Sequence, residues 1–158
     1  MKRGFFTQTY FGLSKVGIFL GHILLLIVRL YWGGSLVLTG IGKFMALQKV
    51  AGYFGSLGLP FPEFTAGFVA LVELVGGAAL FLGLFSRVMS FLLVILFCVA
   101  YATAHTESVH MLFANPQLFL KQDPFLYLYA SLLVFCFGAG FASFDYWWER
   151  SRFSNKLS

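Results

Sequence analysis

Apolar and polar positions along this chain alternate on a long scale, with four extended apolar stretches separated by short polar ones. The first runs from Val16 to about Leu38 and keeps helical character to Phe44. The second runs from Phe64 to Phe85, the third from Val88 to Ala104 and the fourth from Pro124 to Phe144. A helix needs roughly 20 apolar residues to cross the hydrocarbon core, within a range of about 17 to 25. All four stretches qualify, the third narrowly. The first is longer than the apolar region of a cleaved signal, carries Arg29 in its middle and is followed by no small-x-small cleavage site, so it is expected to be retained.

The pattern predicts an all-α fold, an antiparallel four-helix bundle integral to the membrane. Its transmembrane domain covers residues 16–144, with helices at about 16–44, 64–85, 88–104 and 124–144. A cytoplasmic N-terminal segment, 1–15, and a cytoplasmic tail, 145–158, flank it.

The connections differ in kind. Only Ser86 and Arg87 separate the second and third helices, which predicts a tight hairpin. Between the first and second, apolar residues recur at Leu47, Val50, Phe54 and Leu57, a spacing that predicts a short amphipathic helix in the interface. Asp123 before Pro124 predicts a helix start, with a capping oxygen followed by a residue that needs no amide partner.

Composition fits this picture. Of the 158 residues, 59% are hydrophobic and 11% charged, where a soluble domain carries about 25% charged residues. A fold of this length has too little interior for so much apolar surface, so lipid must cover the rest. The formal charge of +5 does not indicate nucleic acid, because the bases lie at chain ends and loops and form no stripe with interleaved aromatics. Lys2, Arg3, Lys15, Arg87, Arg150, Arg152 and Lys156 fall on one side, and Lys43, Lys49 and Lys121 on the other. That bias predicts that both termini lie on the cytoplasmic side, with Tyr146, Trp147 and Trp148 in an interfacial belt.

Two ionisable residues fall inside the apolar stretches. Arg29 lies nine residues before Leu38, and Glu73 nine residues after Phe64. On antiparallel helices both are then about 14 Å from the same boundary. Neither charge is tolerable alone at that depth, so the two are expected to pair in a buried polar centre. Small residues at Gly33 and Gly40 on one helix, and at Gly76 and Gly77 on the other, would let the backbones approach closely. Two readings of the pair stay open: it locks the register of the bundle, or it handles a proton, a quinone head group or a small substrate.

Lys43, Tyr101 and His105, with Glu107 and His110 nearby, are expected to form a polar outer mouth. Cys98, Tyr101 and His105 share a helical face. His105 and His110 are five residues apart and off a common face, so no metal site is expected. Cys98 and Cys136 sit in apolar runs and read as small hydrophobes, and His22 reads as a lone interhelical hydrogen-bonding residue.

The ordered set Arg29, Gly33-Gly34, Gly40, Lys43, Gly58-Leu59-Pro60, Pro62, Glu73, Gly76-Gly77, Gly83 and Ser86-Arg87 resembles the DoxX family of small bacterial membrane proteins over about residues 25–104. The resemblance implies a four-helix unit of the plasma membrane and carries the family's buried charges onto Arg29, Lys43 and Glu73. Some relatives are linked to quinone-dependent thiosulfate oxidation, others to membrane redox complexes.

Three functions follow as expectations. The first is the membrane subunit of a redox complex, with quinone as the possible cofactor and a soluble partner carrying electrons, since no flavin, haem or iron–sulfur motif is evident. The second is a non-catalytic anchor or assembly factor for a soluble oxidoreductase. The third is a small-solute transporter, which for so narrow a bundle implies a homo-oligomer. The bilayer itself is the one partner common to all three.

Overall fold

The computed structural model describes residues 5–154, and every regular element among them is helical. Lys2, Arg3 and Lys156, three of the bases used above to orient the chain, lie outside the described residues. In order, the chain forms α1 (Phe5–Val28), a π-helical turn (Arg29–Gly33), α2 (Gly34–Met45), α3 (Leu47–Ser56), α4 (Pro62–Leu82) and α5 (Ser86–Ala104). There follow α6 (Thr106–His110), α7 (Pro116–Leu120), α8 (Pro124–Phe137) and α9 (Phe144–Ser154).

Three helices are long and apolar enough to cross a membrane: the continuous stretch Tyr10–Met45, then α4 and α5. Apolar side chains such as Leu38, Phe68, Ile95 and Leu126 line the outside of the fold, as a helical membrane protein requires. The first stretch has 36 residues, about 54 Å of helix against a hydrocarbon core of about 30 Å. Only its second part, from Arg29 onward, packs along α4. The first part, α1, packs principally against the π-helical turn and α8.

α2 and α4 approach at backbone contact. A Cβ placed on Gly40 would lie 2.7 Å from the Leu74 amide nitrogen, and one on Gly33 would lie 2.8 Å from that of Phe81. Gly77 answers from α4, where a Cβ would meet the Leu36 side chain at 2.7 Å. Gly76, also expected to pack helices, faces α5, with the Leu93 side chain against it. The core is small and apolar, built from Leu36, Leu80, Leu93, Phe97 and Val134. Tyr127 stacks on Phe97 and bonds the Ser35 hydroxyl at 2.7 Å, which ties α8 to α2.

α3 matches its expected face: Ala51 is buried, and Leu47, Val50, Phe54 and Leu57 are half-buried against α4. Pro124 opens α8 as expected, but Asp123 supplies no side-chain cap; its own backbone is already helical. α8 is also shorter than the apolar stretch suggests. It stops at Phe137, because Gly138 and Gly140 adopt φ of 78° and 76°, a region that an ordinary side chain resists. The fourth apolar helix therefore has 14 residues and ends in an irregular segment, 138–143.

Candidate functional site

The expected Arg29–Glu73 pair is not formed. Arg29 is buried, and its guanidinium donates to four backbone carbonyls: those of Leu80 and Phe81 at the end of α4, and those of Ala139 and Ala142 after α8. Leu80 lies seven residues beyond Glu73 on the same helix, about 10 Å along its axis. Arg29 thus sits where α4 ends, and the depth inferred for it from sequence was wrong. The reason is the boundary. The helix continues past Leu38 to Met45, so its far end lies about 10 Å beyond the point from which depth was counted.

Arg29 instead closes the terminus-side end of the bundle. The last carbonyls of a helix lack partners within it, and those of Leu80 and Phe81 receive the Arg29 fork at 2.9 and 3.2 Å. Irregular backbone near the membrane is tolerated only when its polar groups are satisfied within the protein, and Ala139 and Ala142 meet that condition through the same guanidinium. Across the turn, Asp145 accepts the amides of Phe85 and Ser86 at 2.8 and 2.7 Å, while its own amide donates to the Gly83 carbonyl. A cation therefore lies at the C-terminus of α4 and an anion at the N-terminus of α5, as both helix dipoles favour. Gly83 is required here: its φ is 74°, and a Cβ would run into the Arg29 guanidinium and Ser143.

Glu73 pairs with Lys43. The Lys43 ammonium donates to Glu73 Oε1 across the α2–α4 interface, next to Gly40. The carboxylate side chain is 6% exposed and the lysine 31%, so the pair is shielded on the Glu side and reachable on the Lys side. Glu73 Oε2 is buried and has no hydrogen-bond partner among the described residues. An ion pair from which one carboxylate oxygen is left over can take a proton or meet a donor from a ligand.

The outer mouth expected from sequence divides in two. Lys43 is committed to Glu73. Tyr101 is buried, donates to the Phe119 carbonyl at 2.9 Å and stacks on the Phe119 ring at 4.2 Å, with the His105 ring tilted against it at 5.8 Å. Cys98 does not share their environment, and it and Cys136 are free and exposed on the outside of the bundle. Among the described residues no group of three or more His, Cys, Asp or Glu converges on one point. Among the described residues His22 has no interhelical hydrogen-bond partner: its Nδ1 is buried and unpaired, and its ring meets Phe141 edge-on at 5.2 Å.

The fold and its polar centre define a class, the small helical membrane proteins with a lysine–glutamate pair between tightly packed spans. The DoxX family model matches residues 24–106, more than half of the chain, and the chain belongs to the DoxX family. It is similar to the Bacillus subtilis (strain 168) protein named "Putative oxidoreductase CatD", with 28% identity over 118 residues, 65% of this chain and 86% of that protein. No solved structure matches the chain.

Proposed function

We propose that this DoxX-family protein is the membrane subunit of a redox complex of the bacterial inner membrane, and that the Lys43–Glu73 pair is where a quinone head group engages it. The observation that carries the reading is Glu73 Oε2, a buried carboxylate oxygen with no partner beside a half-exposed ammonium. A quinone head group presents two oxygens that alternate between carbonyl and hydroxyl, and this donor–acceptor pair suits both forms. Lys43 donates to a carbonyl, and Glu73 Oε2 accepts from, or takes the proton of, a hydroxyl. The bound quinone would supply the two-electron chemistry, and a soluble partner would exchange the electrons. The name of the Bacillus relative supports the redox assignment.

The test is titration of the purified protein with ubiquinone and menaquinone analogues in detergent or nanodiscs. Saturable binding that weakens at least about tenfold in Glu73→Gln, as loss of a buried charged hydrogen-bond partner implies, supports the reading. No binding at saturating quinone overturns it.

A further inference from the structure

Away from Glu73, a cavity of about 1080 Å³ opens at the end of the bundle that Arg29 closes, between the α4–α5 turn, segment 138–143 and the start of α9. Its lining includes Arg87, Ser86 and His22 together with Tyr146, Trp147 and Trp148. A second cavity of about 560 Å³ runs between α1 and α8 and shares His22 and Phe137 with the first. Apart from His22, it is lined by Ser14, by glycines and by aliphatic and aromatic side chains.

The polar chamber gathers one cation and two buried polar groups, each without a partner among the described residues. Among the described residues Arg87 has no hydrogen-bond or ion-pair partner, and its guanidinium lies along the backbone of Gly138. Ser86 Oγ is buried without a partner in a residue 1% exposed, and His22 Nδ1 is likewise buried and without one. The carboxylate in the chamber, Asp145, spends both oxygens on the amides of Phe85 and Ser86, and Arg29 stands beside it as a counter-charge. Among the described residues Arg87 therefore leaves the chamber with one net positive charge. An anion fits it, whereas a group carrying an ammonium would find no free carboxylate among the described lining residues.

The apolar chamber gives the ligand its other half. Ser14, Gly17 and Gly21 form a floor on α1, and a Cβ on either glycine would meet nothing within 4 Å. From Ser14 to Val28 the groove follows about 21 Å of helix, enough for a chain that covers half the hydrocarbon core, about 15 Å. The aromatic rim places the junction at a membrane–water interface, where Trp and Tyr concentrate.

We propose that the paired cavities seat one anionic phospholipid, its phosphate on Arg87 beside Ser86 and His22, and an acyl chain in the α1–α8 groove. The site is separate from the Lys43–Glu73 pair and does not depend on the redox reading.

The full chain, reconstituted in phosphatidylcholine vesicles, is titrated with brominated phosphatidylglycerol or brominated phosphatidylcholine, and tryptophan quenching is read. Trp147 and Trp148 report from the rim. The expected result is quenching at lower fractions of the anionic lipid, with the preference reduced about fivefold in Arg87→Gln, the effect of one basic residue at an anionic surface, and largely kept in Arg87→Lys. Gly21→Leu fills the groove without changing charge and is expected to weaken quenching by both lipids. Equal quenching by the two lipids in the wild type, or an unchanged preference in Arg87→Gln, overturns the proposal. So does relief of phosphatidylglycerol quenching by inorganic phosphate at constant ionic strength, which would assign the chamber to a free anion.

Discussion

Lys43 and Glu73 meet across two helices whose backbones touch one turn away at Gly40. The pair lies between the spans and is flanked by a residue with no side chain. The closeness that Gly40 permits brings α2 near enough for the lysine stem to reach an otherwise isolated carboxylate. Removing one partner of a buried ion pair typically costs about 3–5 kcal/mol, because the other charge is left alone, while replacing both by apolar residues can be neutral. Lys43→Met is therefore expected to destabilise the protein more than the double variant Lys43→Met/Glu73→Met. Reversible unfolding in mixed micelles measures this; additive effects of the two single changes would refute the coupling.

The glycines separate by sign. Gly40→Ala puts a Cβ on the Leu74 backbone and is expected to cost about 1–3 kcal/mol, the usual range for overpacking. Gly42, two residues on, faces open space, and Gly42→Ala is expected to gain up to about 1 kcal/mol from helix propensity alone. Thermal melts followed by circular dichroism compare the two, and equal shifts would contradict the close approach of α2 and α4.

Arg29→Met strands four carbonyls that now receive a charged donor. At about 1.5–3 kcal/mol for each charge-assisted bond, partly offset by water at the interface, the loss is expected to reach at least about 3 kcal/mol. Arg29→Lys keeps the charge but not the planar fork and should fall between. Segment 138–143 loses its anchor in both, so limited proteolysis there should speed up in the same order. A wild-type cleavage rate in Arg29→Met would show that the segment is held by other means.

Cys98 and Cys136 are exposed on a surface that faces hydrocarbon. In protein reconstituted in vesicles a charged, water-confined maleimide is expected to label neither, because hydrocarbon holds both as unreactive thiols, and in denaturing detergent, where they meet water, both are expected to react. Rapid labelling by the charged reagent would place these faces in water.

The excess of Lys and Arg on the terminal side predicts orientation. A green fluorescent protein fused to the C-terminus is expected to fluoresce, and alkaline phosphatase inserted in the 105–123 connection is expected to be active. The opposite pair of results would invert the topology.

How much of this was legible in the sequence differs from element to element. Most of the buried faces were: Arg29, Gly33, Leu36, Gly40 and Lys43 on one helix, and Ala66, Glu73, Gly77, Leu80 and Arg87 on the other, recur at helical spacing and are buried except at their polar ends, where Lys43 is half-buried and Arg87 exposed. Depth was not, because an apolar run fixes where a helix can cross and not where along it a neighbour ends. The error of about two turns exchanged partners, giving Glu73 to Arg29 when Lys43 held it. The partners of Arg29 were illegible for another reason: they are backbone carbonyls, which every residue possesses and no side-chain pattern marks. Gly138 and Gly140 did carry a signal, since two glycines inside an apolar run weaken a helix, and reading them would have ended α8 at its true place.

The π-helical turn from Arg29 to Gly33 has a consequence for how this chain can change over time. A π turn holds one residue more than the α-helical path it replaces. Deleting a single residue there would restore an unbroken α-helix over the same path, with Gly21 and His22 still facing α8, whereas straightening the turn with no deletion would swing everything upstream by about 100°. The portion against α4 would keep its seating. The turn thus takes up one residue within the helix, so that the leading part faces α8 while the portion behind it stays seated on α4.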